Sequence, residues 1–479
     1  MSNFQASFQL ADNIDQDKVF LINLSDIDKR LDTDYYRPEL LTIEKRVSAK
    51  ATKKLQDFAN TMASGATPSV SESSYYADKE TGIPFLRVQN LTINGTLNLE
   101  NVKFISHHVH ENQIKRSQVS DSDLLIKITG VGRMAVASVP PKGFIGNTNQ
   151  HMVVLRTNDR EKSRYLANYL NLDVVEKLAS RRATGGTRPA LDYSALRSIP
   201  VIENINFEDL EKAKQFSFEK KLKAQNLLDS IDDYLLAELG IDVPDVDNSL
   251  SSRMFTIQAI ELSGGRFDAL QYKSLLKDLI LTRKDVIVLS QIVLDMKSGI
   301  GAGKQDQSNE YEGIIQIRPT NISKGGKLNF TKNVYVNNIP NTLIVKKGDV
   351  LFNNTNSQEL VGKTAYYDLD EVMSCSNHIT RILVDHKKIL PKYLGLLLNL
   401  YQQNKVFYYL CINWNNQSGV GQDILRKLPI VLPNISKQQE IVQHIDKVRA
   451  TATQLQQEAN EILAQAKQKI ERMILGEEN

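Results

Sequence analysis

The chain has 479 residues, of which 59 are Lys or Arg and 56 Asp or Glu, for a formal net charge of +3. With 41% hydrophobic and 24% charged residues it can bury real cores, which excludes wholesale disorder and collagen-like character. At roughly 150 residues per domain the length suits about three domains. Cys375 and Cys411 are the only cysteines, too few for a disulfide framework or a cysteine-built zinc site, so a reducing compartment, the cytoplasm, is expected. Asp12, Asp15 and Asp17 stand where a signal peptide would need an apolar core, and the longest apolar stretches, 286–294 and 393–400, fall short of a membrane span.

Taken in chain order, the sequence repeats itself. Arg30, Leu31, Asp32 and Tyr36 recur as Arg266, Phe267, Asp268 and Tyr272, and Ser64 and Gly65 as Ser298 and Gly299. Arg87, Asn90 and Leu91 recur as Arg318, Asn321 and Ile322, then Asp123, Leu124 and Leu125 as Asp349, Val350 and Leu351, then Gly132 and Ala135 as Gly362 and Ala365. His151 matches His378, Tyr165, Leu166 and Asn171 match Tyr393, Leu394 and Asn399, and Leu196, Arg197, Ile199 and Pro200 match Leu425, Arg426, Leu428 and Pro429. The order never changes and the offsets stay between 226 and 236, which identifies two tandem half-proteins.

Each half changes pattern once. Short apolar runs between Gly, Asn, Pro and Ser turns, over about 55–202 and 288–434, predict mixed strand with a few helices. Stretches free of Gly and Pro follow at 206–239 and 435–475, and each predicts one long helix. In the second, Ile441, Ile445, Val448, Ala452, Leu455, Ala459, Ile462 and Ala466 step by four and three, a heptad seam. The first shows the seam at Ala224, Leu228, Ile231 and Leu235, while Lys214, Ser217 and Lys221 interrupt its earlier turns. A 35-residue helix rises about 52 Å, long enough to act as a spacer. The expected fold is therefore α+β: two tandem mixed α/β domains separated by two long helices in an antiparallel coiled coil, with pseudo-twofold symmetry. The expected boundaries are 1–203 for the N-terminal segment and first domain, 204–243 for the first spacer helix, 244–434 for the second domain and 435–479 for the second spacer helix.

Motifs for catalysis are missing. Gly362, Lys363, Thr364 and the pair Gly303, Lys304 end like phosphate loops, but Ser357 and Ser298 stand where the leading glycine is required. Gly299, Gly301 and Gly303 predict a mobile surface turn. His107, His108 and His110 alternate on an expected strand without a carboxylate or Cys motif, so no metal is assigned. His151 and His378 lack a neighbouring nucleophile and predict a hydrogen-bonded histidine in each repeat, and no amino-methyltransferase signature occurs. No enzymatic activity, catalytic residue or cofactor is assigned to the chain.

The polar loops are rich instead in side chains that read base edges and phosphates. Between residues 160 and 200 eight basic residues (Arg160, Lys162, Arg164, Lys177, Arg181, Arg182, Arg188, Arg197) face four acidic ones, which suggests a polyanion-facing edge. The second half carries Asn413, Trp414, Asn415, Asn416 and Gln417 at the corresponding place, as two readers of different sequences would. Candidate DNA-contacting residues in the first half are Gly65, Thr67, Tyr75, Arg87, Lys127, Thr129, Arg133, Arg181, Arg182 and Arg188. In the second they are Lys297, Lys304, Gln305, Arg318, Asn353, Asn354, Asn356, Lys363, Trp414, Asn415 and Gln417.

The chain resembles the specificity subunits of type I restriction-modification systems across essentially its whole length. Ser64, Gly65, Thr67 and Pro68, followed by residues 83–87, look like the opening of that family's target recognition domain, though the second copy lacks the Thr-Pro pair. Residues 123–126 with Gly130 and Gly132 look like its central block, and residues 196–200 and 425–429 like the exits into its helical spacers. The resemblance implies a non-catalytic subunit that reads a bipartite, asymmetric double-stranded site, one half per domain. It also implies partners: two DNA adenine methyltransferase subunits that use S-adenosylmethionine, and translocase-nuclease subunits that use ATP and Mg. A protein-binding scaffold with no DNA readout is the alternative, and the salt dependence of DNA binding separates the two.

Overall fold

The structure, a computed structural model, describes residues 10–11, 13–15, 18–28, 30–243, 254, 256, 283–308, 313–337 and 339–477. It comprises two compact units, Met1–Lys220 with Gln457–Asn479 and Lys221–Gln456, so that each long helix contributes residues to both. The repeat partners Arg266, Phe267, Asp268 and Tyr272 lie outside the described residues. Among those described, no helix is long and apolar enough to cross a membrane.

In the first unit a four-stranded antiparallel sheet runs in the order Thr61–Ser64, Met152–Arg156, Asp123–Lys127, Ala137–Ser138. Its residues alternate between two cores, as the period of two in a strand requires. Leu124, Ile126, Val153 and Leu155 join the helical core with Leu166, Leu170 and Leu178, while Leu125, Met152 and Val154 meet Leu86 and Leu91 on the other face. The Arg160–Leu170 helix starts where Asp159 accepts from the backbone N–H groups of Glu161 and Lys162, a side-chain cap. A five-stranded sheet, Tyr76–Ala77, Lys103–Ile105, Ile83–Leu86, Gly146–Thr148, Gln118–Val119, completes the unit, with one parallel pair at its centre.

The second unit has the same topology. Its four-stranded sheet is Val293–Ser298, Ile379–Val384, Val350–Asn353, Thr364–Tyr366, and its five-stranded sheet is Gln307–Ser308, Tyr335–Val336, Ile314–Ile317, Met373–Cys375, Ile344–Val345, again with one parallel pair. Val350 and Phe352 face one core and Leu351 the other, as Leu124, Ile126 and Leu125 do in the first unit. The repeat read from the sequence is thus a repeat of register as well as of residues.

The long helices are Glu208–Leu239 and Ile435–Leu475. They pair antiparallel within each unit. In the first, Asp209 pairs with Lys469 at 3.1 Å and Lys220 with Glu458 at 2.6 Å. In the second, the rings of Tyr234 and His444 stack with centroids 4.0 Å apart and Glu238 pairs with Lys437. Exposed ion pairs of this kind contribute little; the seam stabilises. Ile441 and Ile445 are fully buried with Ile231 and Leu235, each apolar side chain worth about 1.5–3 kcal/mol.

The seam differs from expectation in two places. Ser217, expected to interrupt it, is 3% exposed and continues the heptad of Leu210, Ala224 and Ile231. Phe207 and Leu210 at the start of the same helix share a core with Leu463 and Ile470, so those early turns do belong to the packed face. In the second helix Ala452 and Ala459 are buried, and Val448 and Leu455 are half-buried. Beyond Ala459 the buried line passes to Leu463, Ile470 and Ile474, leaving Ile462 half-buried at the edge. Leu228 is half-buried against the core of the second unit.

Candidate nucleic-acid interface

Three loops meet on the first unit. Gly65 turns the chain out of its strand against the backbone of residue 148: a Cβ here would lie 1.7 Å from the Thr148 carbonyl oxygen. Gly299 does the same in the second unit, 1.9 Å from the carbonyl oxygen of Cys375. These glycines are required by close approach to a neighbouring backbone, so Gly299 is packed rather than a mobile turn, and Gly65 has a structural role at the mouth of its loop. Just beyond, the exposed Thr67 donates through Oγ1 to Gln150 Oε1 at 2.5 Å, which joins the first loop to the one carrying His151.

His151 joins the second loop to the third. Its Nε2 lies 3.2 Å from Nη2 of the exposed Arg188, and since a guanidinium only donates, the imidazole accepts. Burial, and then the charge of Arg188, lower the His151 pKa, so the ring is neutral and free to accept at neutral pH. The loop carrying Arg188 is anchored by backbone bridges of Ala190 to Thr129 and Thr184.

The same frame recurs in the second unit. The N–H of Ile128 bonds the carbonyl of His151, and the N–H of Asn354 that of His378, each at 3.0 Å. Leu191 donates to Ile128 as Val420 donates to Asn354. Where Ala190 bridges Thr129 and Thr184, Gly419 pairs with Thr355 and Ile412. Only the loop between differs. In the second unit it is a hairpin, Ile412–Trp414 against Gln417–Gly419, turned by Asn415 and Asn416 with φ of Asn415 at +48°. Asn tolerates that left-handed geometry, which two-residue hairpins need. His378, Asn356, Ser357, Thr320, Asn416 and Gln417 border a cleft of about 410 Å³ at its foot.

The structure separates the candidate residues by what their polar atoms already hold. Arg181 is 8% exposed and bonded to the Tyr35 carbonyl and Glu44. Arg182 binds Glu44, Ser198 and the Leu178 carbonyl, and Arg133 pairs with Asp173. Lys127 donates to the Val131 carbonyl and Lys363 to those of Pro319 and Ile322, and burial lowers the pKa of both lysines. Asn353 is fully buried, and Asn354 spends its amide on Thr380 and Asn377. Arg87 donates to the Asn101 carbonyl, Arg318 to Gln316, and Asn356 accepts from the N–H of Ser357. Tyr75 packs against the small core around Phe85 and Ile105. Most of these polar groups are engaged within the fold and build the loops, while Asn356 keeps its amide nitrogen, and Arg87 part of its guanidinium, without a hydrogen bond among the described residues.

Most of the expected basic edge is likewise spent internally; Arg188 is an exception, and so is Arg197, exposed at the end of its short helix with its guanidinium 5.8 Å from the centroid of the Tyr193 ring. Lys162 pairs with Asp159, Arg164 with Glu211, Lys177 with Glu39, and Arg160 donates to the carbonyls of Asp121 and Pro140. What remains outward on these loops is Thr67 and Arg188 in the first unit, with half-buried Thr129 behind them. In the second it is Lys304, Gln305, Asn415, Asn416 and Gln417, with Lys297 exposed but 3.3 Å from Asp295. Trp414 is 46% exposed, yet its ring rests on Gly419, where a Cβ would lie 2.3 Å away, so it braces the hairpin. Gln150 is a loop residue that sequence reasoning misses, and adjacency to His151 is the signal that points to it; Asn416 is read with its amide-rich stretch but not singled out there as a contact.

No group of three or more residues suited to a metal exists among the described residues. His107 and His108 begin a helical turn rather than a strand, and His110 binds Asn147 through Nδ1.

Parts of this chain resemble known proteins. Residues 300–464 match the family model of the type I restriction modification DNA specificity domain. A curated relative, a putative type I restriction enzyme MjaX specificity subunit from Methanocaldococcus jannaschii, is 32% identical over 162 residues, 33% of this chain and 37% of that protein. The chain therefore spans just over a third of the relative it matches. A solved structure described as concerning complex assembly and conformational transition of the type I R-M system aligns at 13% identity and a TM-score of 0.43, over 88% of this chain and 95% of that one. The type I restriction-modification S subunit from M. genitalium aligns at 13% identity and a TM-score of 0.38, over the same shares.

Proposed function

We propose that the chain is the DNA-reading specificity subunit of a type I restriction-modification complex, because residues 300–464 match the DNA specificity domain of that family and the first unit repeats their topology. Each unit reads one half of a bipartite, asymmetric duplex site, and the paired long helices set the unread gap. The observation that carries this is the shared loop frame: the same backbone bonds around His151 and His378 present a Gly-rich loop with Arg188 in one unit and an amide-bearing hairpin in the other. A constant frame under different exposed chemistry is what two readers of two sequences require.

In this reading the chain is not an enzyme and holds no cofactor of its own. Two adenine methyltransferase subunits supply S-adenosylmethionine chemistry, translocase-nuclease subunits supply ATP- and Mg-dependent cleavage, and the complex works in the cytoplasm. Footprinting of the chain with its methyltransferase on cognate DNA tests the proposal. Two protected patches separated by accessible base pairs are expected, with affinity falling steeply as salt rises. One continuous read site, or binding insensitive to salt, overturns it.

A further inference from the structure

Resting on that reading, we infer that the two units discriminate different bases through equivalent loops: Arg188 reads a guanine in one half-site, and the Asn415–Asn416–Gln417 hairpin reads adenine in the other. A two-stranded ribbon is one of the two elements that the major groove of B-form DNA admits, and the hairpin from Ile412 to Gly419 is such a ribbon. Its tip carries three exposed carboxamides, and no hydrogen bond within the described residues engages their side chains. By contrast Asn354, Asn399 and Asn321 are buried, each with its amide donating inside the fold. A carboxamide that both donates and accepts matches N7 and the N6 amino group of adenine, a pairing that a guanidinium lacks an acceptor to make.

The first unit presents the opposite chemistry on the same frame. The guanidinium of Arg188 is exposed and has no carboxylate partner among the described residues; His151 holds it through one Nη2 donor and leaves the rest of the donor fork free. A fork of donors matches O6 and N7 of guanine, both acceptors. The ring of Trp414 against Gly419, and the Ser418 hydroxyl donating to Asn413 Oδ1 at 2.6 Å, order the second ribbon before it meets DNA. Because the frame on either side is shared, base preference lies in these loop residues rather than in the sheets beneath them.

The test is selection of bound duplexes from a randomised library by the full chain with its methyltransferase partner, for the wild type and three variants. Arg188→Ala is expected to lose at least about ten-fold discrimination at one guanine in one half-site and leave the other half-site intact. Gln417→Ala should relax an adenine in the other half-site only. Gln417→Arg should shift that position from adenine to guanine, a gained preference that a misfolded chain would not show. Variants that retain the wild-type motif, or relax both half-sites alike, overturn the inference while leaving the recognition function standing; a wild type that enriches no motif overturns both.

Discussion

The guanidinium of Arg181 lies 3.9 Å from the centroid of the Tyr35 ring and donates to the Tyr35 carbonyl at 2.7 Å and to Glu44 at 3.0 Å. An arginine that looks like a phosphate contact in sequence is thereby a buried clamp between the N-terminal segment and the helix Asp173–Arg182. Removing one partner of a buried, hydrogen-bonded ion pair costs about 3–5 kcal/mol, here lessened because Arg182 also pairs with Glu44. Arg181→Ala should therefore lower the stability of the first unit by about 3 kcal/mol in urea unfolding, while the salt slope of DNA binding by the folded protein stays unchanged.

Glu44 gives this cluster a pH dependence. Burial raises its pKa, but the hydrogen bond from Arg182 and the charges of Arg182 and Arg181 together outweigh that and lower it. A carboxyl whose pKa is lower when folded contributes stability that is present above the ordinary glutamate range and lost as pH falls through the lowered value. The Glu44→Gln protein should be less stable than wild type at pH 7, and the gap should close in acid; thermal unfolding from pH 7 down to pH 3 measures it.

Asp232 on the first long helix has the opposite sign. Burial pushes it up to about 6, Asp233 adds to the rise, and Arg449 opposes it. Its raised value means that stability is full below the ordinary aspartate range and falls as pH rises through about 6. Asp232→Asn should raise the melting temperature at pH 7 to 8 and make no difference near pH 3. A variant equal to wild type throughout would place the group in water.

Gly65 and Gly299 are expected to be intolerant of any side chain. A Cβ at 1.7 or 1.9 Å from a backbone oxygen forces the backbone of the sheet apart, not the end of a flexible side chain. Gly65→Ala should expose the first unit to limited proteolysis and Gly299→Ala the second, each leaving the other unit resistant.

Gly419→Ala tests a gentler contact. Here the clash is with the Trp414 ring, which can swing away. Since Trp414 is the single tryptophan, its fluorescence reports on the hairpin directly. The variant should fold, show a red-shifted emission from a more exposed indole, and weaken recognition of one half-site only.

Much of the architecture is legible in the amino-acid order alone. Collinear matches announce two copies, alternation places strands such as Asp123–Lys127 and Met152–Arg156, and the absence of Gly and Pro delimits both long helices to within two residues. These are local properties: strand and helix periods are set by neighbours in the chain, and a duplicated sequence repeats them. Ser217 and Ile462 depart from the heptad reading because a seam depends on the partner helix, which decides whether a small hydroxyl is buried and an isoleucine is not. Only the tertiary structure separates Arg188 from Arg181, or Asn415 from Asn354. In each pair the residue type is the same, and what differs is whether distant segments, the N-terminal turn at Tyr35 or the strand at Thr380, come close enough to occupy its hydrogen bonds. A buried polar group must spend its donors inside the fold, and an exposed one keeps them for a ligand.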